Sequence, residues 1–290
     1  MTTISGHTKP FAVLGHPIGH TLSPVMHNAA FEHLGMDAIY LAFDSPPETL
    51  LSSLCALADL GFGGVNLTVP LKEIAFKGLA DLDDSARALG AVNTVQFLPA
   101  GARGYNTDGQ GFLAAVREAF AAGVAGKSVF VLGSGGAGRA VAIACAREGA
   151  QRIRLADLDA HRPAQVAKEI QAMAPHVAAE TVAANPAAWA EASRQSELVV
   201  QATPVGMREG DAPALLDGSA FRAGQLVFDL VYTAPETGFM KQARAGGARA
   251  ANGLGMLLHQ GAAAFSIWTG REAPLGVMRT ALEAAVYGRN

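Results

Sequence analysis

Over its 290 residues the chain is half hydrophobic and only 16% charged, which excludes a disordered protein and leaves room for two domains. Its 22 basic and 25 acidic residues sum to −3, which offers nothing to nucleic acid or to an anionic membrane. No run of about 18 apolar residues is present, so a membrane-spanning helix is not expected. The opening MTTISGHTKP lacks the apolar stretch of a signal peptide. Cys55 and Cys145 lie far apart in apolar, helix-like stretches and read as two buried free thiols of a reducing, cytoplasmic compartment.

The first predicted strand is FAVLG, 11–15. Ser23 followed by Pro24 is a helix start, with the hydroxyl as N-cap and proline at the first helical position. Val25, Ala29 and Leu34 mark part of its buried face, and Gly35 is its stop. A strand at 38–44, an amphipathic helix at 48–61 and a buried strand at 63–70 follow. Residues 85–98 hold a helix end and a further strand. Strands alternating with helices predict an open, mostly parallel α/β sheet. Polar residues collect at its strand ends: Thr68 and Lys72 after one strand, Asn93 and Thr94 opening another, and Asp108 at a turn in GYNTDG. Ligands of open α/β sheets bind beyond such ends. The helix at 109–122 then leads into a second domain.

That domain opens on KSVFVLGSGGAGRA, 127–140, which reads as strand, glycine turn and helix start. Gly133, Gly135 and Gly138 keep the G-x-G-x-x-G spacing, with Ser134, Gly136 and Ala137 between them. The three glycines serve a tight turn, close approach to a pyrophosphate and close helix–strand packing. The helix N-terminus favours the phosphates. A second strand, 152–156, ends at Asp157, at the distance expected of the acid that binds an adenosine ribose. Further along come a helix at 164–174, a turn at Asn185–Pro186, buried strands within 196–207 and 225–232, and helices at 236–246 and 274–287. The last helices are expected to pack back on the first domain. The predicted fold class is therefore α/β: an N-terminal, open, mostly parallel α/β substrate domain (1–108 with 256–290) plus a Rossmann-type dinucleotide-binding domain (109–255).

GHPIGHTLSPVMHN, GGVNLTVPLK, LGAVNT, GYNTDG, GSGGAG, ATPVGM and GLGMLLHQ occur in the order and spacing of the shikimate dehydrogenase family, and over nearly its whole length the chain resembles that family. The resemblance implies interconversion of shikimate and 3-dehydroshikimate, or of quinate and 3-dehydroquinate, with a nicotinamide cofactor. Lys72 resembles the catalytic lysine and Asp108 its partner. A lysine serves as base near neutrality only when desolvated or crowded by cations. A carboxylate opposes that, so Asp108 reads as the orienting group. Thr21 and Ser23 resemble the pair that grips the substrate carboxylate, with threonine in place of the usual first serine. Thr68, Asn93 and Gln260 resemble ligands of the ring hydroxyls, and Tyr232 a tyrosine near substrate and nicotinamide. Thr233–Ala234–Pro235 replaces the family's more usual Asn–Pro after that tyrosine. Thr203, Pro204, Gly206, Met207 and Gly253 resemble nicotinamide contacts. His16, His20, His27 and His259 show no metal-ligand spacing and read as ordinary polar or capping residues.

The cofactor is expected to be NAD in preference, with NADP possible. NADP-using members carry Asn–Arg–Ser/Thr where this chain has Asp157–Leu158–Asp159, with Arg162 retained. A carboxylate accepts from a free ribose diol and repels a 2′-phosphate. Two other readings stand beside this one: a relative acting on an amino or other hydroxylated cyclohexene carboxylate, and a nucleotide-binding regulator without turnover. The expected partner is a small cyclic hydroxy acid, and the expected state is a monomer or homodimer.

Overall fold

The computed structural model describes residues 4–207 and 214–288. The chain divides into two compact units, Met1–Thr107 with Leu258–Asn290, and Asp108–Leu257.

The first unit carries β1 (Lys9–Gly15), α1 (Ser23–His33), β2 (Ala38–Asp44), α2 (Leu50–Asp59), β3 (Gly64–Leu67), α3 (Lys72–Gly78), β4 (Asp81–Leu82), α4 (Asp84–Leu89), β5 (Thr94–Leu98) and β6 (Gly101–Tyr105). Its sheet runs β2-β1-β3-β5-β6-β4. β1 pairs in parallel with β2 and β3, and β4 with β6, whereas β5 runs antiparallel to both β3 and β6. The β5–β6 hairpin escapes a reading by pattern because GARGY offers one aromatic residue and no apolar alternation. Ala12, Leu14, Val65 and Leu67 join Leu50, Leu54 and Leu71 in the core between sheet and helices.

α1 turns a different face inward from the expected one. Val25 is exposed and Ala29 and Leu34 are half-buried, while Ser23, Met26, His27, Ala30 and Phe31 are buried. Two polar residues belong to the inner stripe, so hydrophobicity alone points the wrong way. Its N-cap is Leu22, not Ser23, and no side chain caps it. The stop is as expected. Gly35 takes φ +61°, Gly35 N–H donates to Glu32 O at 3.1 Å and Met36 N–H to Phe31 O at 2.9 Å. This is the doubly bonded glycine stop, which a Cβ would strain.

The second unit carries α5 (Asp108–Phe120), β7 (Ser128–Leu132), α6 (Gly136–Arg147), β8 (Arg152–Ala156), α7 (His161–Met173), β9 (Ala178–Thr181), α8 (Pro186–Arg194), β10 (Leu198–Gln201), β11 (Leu226–Asp229), α9 (Gly238–Ala245) and β12 (Arg249–Asn252). Its sheet is parallel throughout, in the order β12-β11-β10-β7-β8-β9. Counted from β7, that is the doubly wound order of the Rossmann fold, whose strand succession reverses between β7 and β10. Phe130, Leu132, Val199 and Val227 build its core with Trp189, Phe221 and Phe239. The outer strands are short and lack large apolar residues, β9 (AAET) being largely exposed and β12 (RAAN) largely half-buried, which hides them from an apolar pattern. Asn185–Pro186, expected as a turn, instead opens α8. Asn185 Oδ1 accepts from Ala188 N–H at 2.9 Å, and proline occupies the first turn.

α10 (Leu254–Thr269) carries the chain from the second unit to the first, where α11 (Leu275–Tyr287) packs on α1. Cys145 is buried as expected, and burial pushes its thiol above the ordinary range; Cys55 is exposed, on the outer side of α2. Among the described residues no helix is long and apolar enough to cross a membrane.

Candidate active site and dinucleotide cleft

The glycine turn between β7 and α6 shows why its residues must be glycine. Gly133 takes φ +102°, and a Cβ there would lie 2.7 Å from the Ala202 carbonyl carbon. A Cβ on Gly138 would lie 1.9 Å from Gly133 O, so the third glycine lets α6 press against the turn. Gly135 has open space, its nearest neighbour being Arg162 Nη1 at 4.0 Å from the added Cβ, and Gly136 has nothing within 4 Å. Two glycines serve packing, and a third leaves room for a ligand at the N-terminus of a twelve-residue helix.

The acid at the end of β8 locks onto this turn. Asp157 Oδ2 accepts from Ser134 N–H at 2.7 Å, and Oδ1 accepts from Asp159 N–H at 3.0 Å. Ser134 Oγ donates to Ala156 O at 3.3 Å. Arg162, on the first turn of α7, stands 4.0 Å from Asp157 Oδ2 and 3.5 Å from Asp159 Oδ2. A cleft of about 410 Å³ opens here, walled by Gly133 and Gly135, by Asp157 to Asp159 with Arg162, and by Thr203 to Val205 after β10. It lies beyond the carboxyl ends of β7, β8 and β10, at the strand-order reversal. Gly206 and Met207 continue the same loop, with Gly206 at φ +93°. Gly253 stands apart from that wall: its added Cβ would meet Leu230 O at 2.1 Å, so it permits two backbones to pass closely. Tyr232 is half-buried just beyond β11.

In the first unit the polar residues form one hydrogen-bonded line. Thr21 Oγ1 accepts from Ser23 N–H at 3.3 Å and lies 3.4 Å from Ser23 Oγ. The Ser23 side chain also bonds Tyr40, whose phenol is fully buried and held well above its ordinary pKa by desolvation, with Ser23 opposing that shift. Tyr40 O–H donates to Asn66 Oδ1 at 2.6 Å, and Asn66 Nδ2 donates to Asn93 O at 3.1 Å and to Thr94 Oγ1 at 3.0 Å. Asn93 Nδ2 donates in turn to Thr107 Oγ1 at 2.9 Å, and Asn93 Oδ1 accepts from Thr107 N–H at 2.9 Å. Asp108, next in the chain, opens α5 rather than sitting in a turn, a position where the helix dipole favours a carboxylate.

Thr68 and Lys72 bracket the tight connection from β3 to α3. Leu71 N–H donates to Thr68 O at 2.8 Å, and Lys72 O accepts from Val92 N–H at 2.9 Å, so the first residue of α3 is tied to the approach to β5. Lys72 and Gln260, the latter on α10, are half-buried. Thr21, Ser23 and Asn93 thus share one line of bonds at the carboxyl ends of β1 and β3, with Thr68 beside it.

The family description "shikimate dehydrogenase substrate binding domain" matches residues 13–95, and "shikimate 5'-dehydrogenase C-terminal domain" matches 253–283. The shikimate dehydrogenase (NADP+) of Methanopyrus kandleri is 42% identical over 97% of each chain. The chain belongs to the shikimate dehydrogenase family. Among its solved members, the enzyme of Listeria monocytogenes in complex with shikimate and NAD is 32% identical with a TM-score of 0.89, covering 96% of this chain and 98% of that one. The quinate dehydrogenase of Corynebacterium glutamicum in complex with NAD is 32% identical with a TM-score of 0.87, covering 96% and 99%. Within this dehydrogenase family's matched segments lie Thr21, Ser23, Thr68, Lys72 and Asn93 in the first, and Gly253 and Gln260 in the second.

Pattern reading misses Tyr40 and Asn66, buried polar members of that line, and Gln201 and Asp229, a buried hydrogen-bonded pair at the ends of β10 and β11. The signal for three of them is plain in hindsight of the physics: Asn66 in GVNL, Gln201 in LVVQ and Asp229 in LVFD are polar residues within wholly buried strands. A buried polar side chain must have partners.

Proposed function

We propose that the chain is an NAD-preferring dehydrogenase that interconverts shikimate and 3-dehydroshikimate, with quinate as the other acid to be tested. The observation that carries the reading is the glycine turn held against Asp157 within a chain of this family. Gly133, Gly135, Asp157, Arg162, Thr203 and Pro204 would hold the dinucleotide in the cleft, with its pyrophosphate on the N-terminus of α6. When bound, the nicotinamide supplies hydride acceptance in oxidation and hydride donation in reduction.

The rest of the work falls to side chains. Lys72 takes the alcohol proton in oxidation and returns it in reduction, and Asp108 orients the lysine and the reacting hydroxyl. Thr21 and Ser23 hold the carboxylate; Thr68, Asn93 and Gln260 hold ring hydroxyls, and Tyr232 closes the nicotinamide side. Quinate bears a hydroxyl on the carbon that carries its carboxylate, and shikimate does not. The Thr21 methyl narrows the space there, so the shikimate-to-quinate ratio measures its effect.

NAD is favoured over NADP because a 2′-phosphate would meet two carboxylates at the end of β8. Arg162 is 57% exposed but already faces both Asp157 and Asp159, which leaves it less cation to give a phosphate. Initial rates with shikimate and quinate, each against NAD and NADP, test the proposal. Turnover of either acid, faster with NAD, is the expected result. No turnover in any pairing, with NAD still bound, would remove both acids as substrates. Asp157→Ala is expected to narrow the NAD-over-NADP ratio of kcat/KM by roughly tenfold, one lost charge-assisted bond and one lost repulsion being about 1–2 kcal/mol. A wild type that prefers NADP would overturn the cofactor assignment.

A further inference from the structure

Asp229, the last residue of β11, is only 1% exposed. It stands in register with Gln201, the last residue of β10 and equally buried. Gln201 closes the turn that follows it. Its Oε1 accepts from Thr203 N–H at 2.5 Å, while its Nε2 donates to Val205 O at 3.0 Å and to Asp229 Oδ1 at 3.3 Å. One amide therefore grips both limbs of the turn whose residues Thr203, Pro204 and Val205 wall the dinucleotide cleft.

A glutamine amide has two orientations, and its partners choose between them. The Asp229 carboxylate and Val205 O only accept and the Thr203 N–H only donates, so all three select the same orientation, and Asp229 anchors it from within the sheet. The same carboxylate reaches the next loop: Oδ1 accepts from Val231 N–H at 3.0 Å, and Oδ2 from Thr237 O–H at 2.6 Å. Val231 precedes Tyr232, and Thr233 Oγ1 donates to Gly206 O at 3.3 Å, which ties the two loops together further out. Every one of these partners is a neutral donor. Burial accordingly holds the Asp229 carboxyl above the ordinary range, at about 6. A carboxyl kept in so unfavourable a place is expected to do something that a leucine of the same size would not.

We propose that Asp229 is a positioning residue for the dinucleotide: acting through the Gln201 amide, it holds the Thr203–Val205 wall in its ligand-binding shape. The inference rests on the nicotinamide-dehydrogenase reading of the cleft. Its probe is NAD itself, titrated calorimetrically into the protein without substrate, so that binding is read apart from turnover.

Asp229→Ala and Gln201→Leu are each expected to raise the NAD Kd tenfold or more. The double variant should bind no more weakly than the worse single one, because both changes break the same link. Asp229→Asn keeps an Oδ1 for Gln201 and Val231, and its Kd should stay within threefold of wild type. Thr237→Val removes the bond to Oδ2 together with the N-cap of α9, where the same hydroxyl accepts from Met240 N–H at 3.2 Å, but leaves the Gln201 link intact. Urea unfolding should show lost stability with the Kd within threefold. Equal Kd values for Asp229→Ala and wild type, or additive losses in the double variant, would overturn the inference. Should Asp229→Ala not fold, Gln201→Leu alone decides it, an unchanged Kd overturning the role. A wild type that binds no NAD would instead overturn the reading of the cleft, so the two failures are distinguishable.

Discussion

Lys72→Ala is expected to lower kcat/KM for the hydroxy acid by roughly 10²–10⁴-fold, the usual contribution of a positioned acid–base group. That is about 3–5 kcal/mol of transition-state stabilisation. In the oxidative direction the hydroxyl proton must leave as hydride departs from the same carbon, and alanine offers no acceptor. On the proposed role the loss should fall mainly on kcat, because the lysine would act on a proton that moves only in the reaction, while the proposed ligands of the carboxylate and ring hydroxyls are left in place. The backbone gives no reason for the variant to unfold. Lys72 is the first residue of α3, its carbonyl still accepts from Val92 N–H, and alanine is the better helix former. NAD titration supplies the control: the cleft is walled by residues of the other unit, so its Kd should stay within twofold. A variant that retains kcat/KM within tenfold of wild type would reduce Lys72 to a surface cation and leave the proton to another group.

The parts of the molecule that pattern makes legible are those where one physical demand dominates. VFVL, the spaced glycines and the acid that ends the next strand together favour a buried strand meeting a helix, and the structure gives the reason: Gly133 and Gly138 admit no Cβ. Asp157 is equally legible, since the length of a helix and its return fixes how far along the chain the second strand must end. Legibility fails where two demands compete. α8 hides behind Asn185–Pro186, a pair that suits a turn as well as a helix start. β9, β12 and β6 hide because outer or solvated strands need no apolar face. Ser23 fits the chemistry of an N-cap, yet its hydroxyl is drawn inward to Tyr40 and its own N–H is satisfied by Thr21. Asn66 and Asp229 could have been found by asking what a polar residue does inside a buried strand.

His27 is the sharpest such case, and it should govern the acid stability of the first unit. It is neither a surface nor a capping residue: its ring is fully buried, stacked on Tyr40 at 4.3 Å between centroids, with Trp268 at 5.6 Å. Neither ring nitrogen has a hydrogen-bond partner among the described residues. Desolvation by burial lowers its pKa from 6.5 to about 3. The native state therefore keeps the ring neutral where the unfolded chain takes up a proton. Its contribution is undiminished above pH 6.5 and is lost as the pH falls from 6.5 toward 3. At pH 4 that loss amounts to about 3 kcal/mol. Asp229 has the opposite sign. Its pKa is raised from 3.8 to about 6, so the native state gains stability as the pH falls through that window, by about 2 kcal/mol at pH 4. The two groups belong to different units, so a probe in the first unit reads the His27 contribution. His27→Phe removes that contribution. Urea unfolding at pH 8 and pH 4, followed through Trp268 in a Trp189→Phe background, should show the variant gaining about 3 kcal/mol on wild type between the two pH values. Its absolute stability at pH 8 is not the readout, because the larger ring must also be repacked beside Gly261. A difference that stays constant from pH 8 to pH 4 would mean that His27 is protonated alike in the folded and unfolded chain, and that its burial has been compensated by a partner.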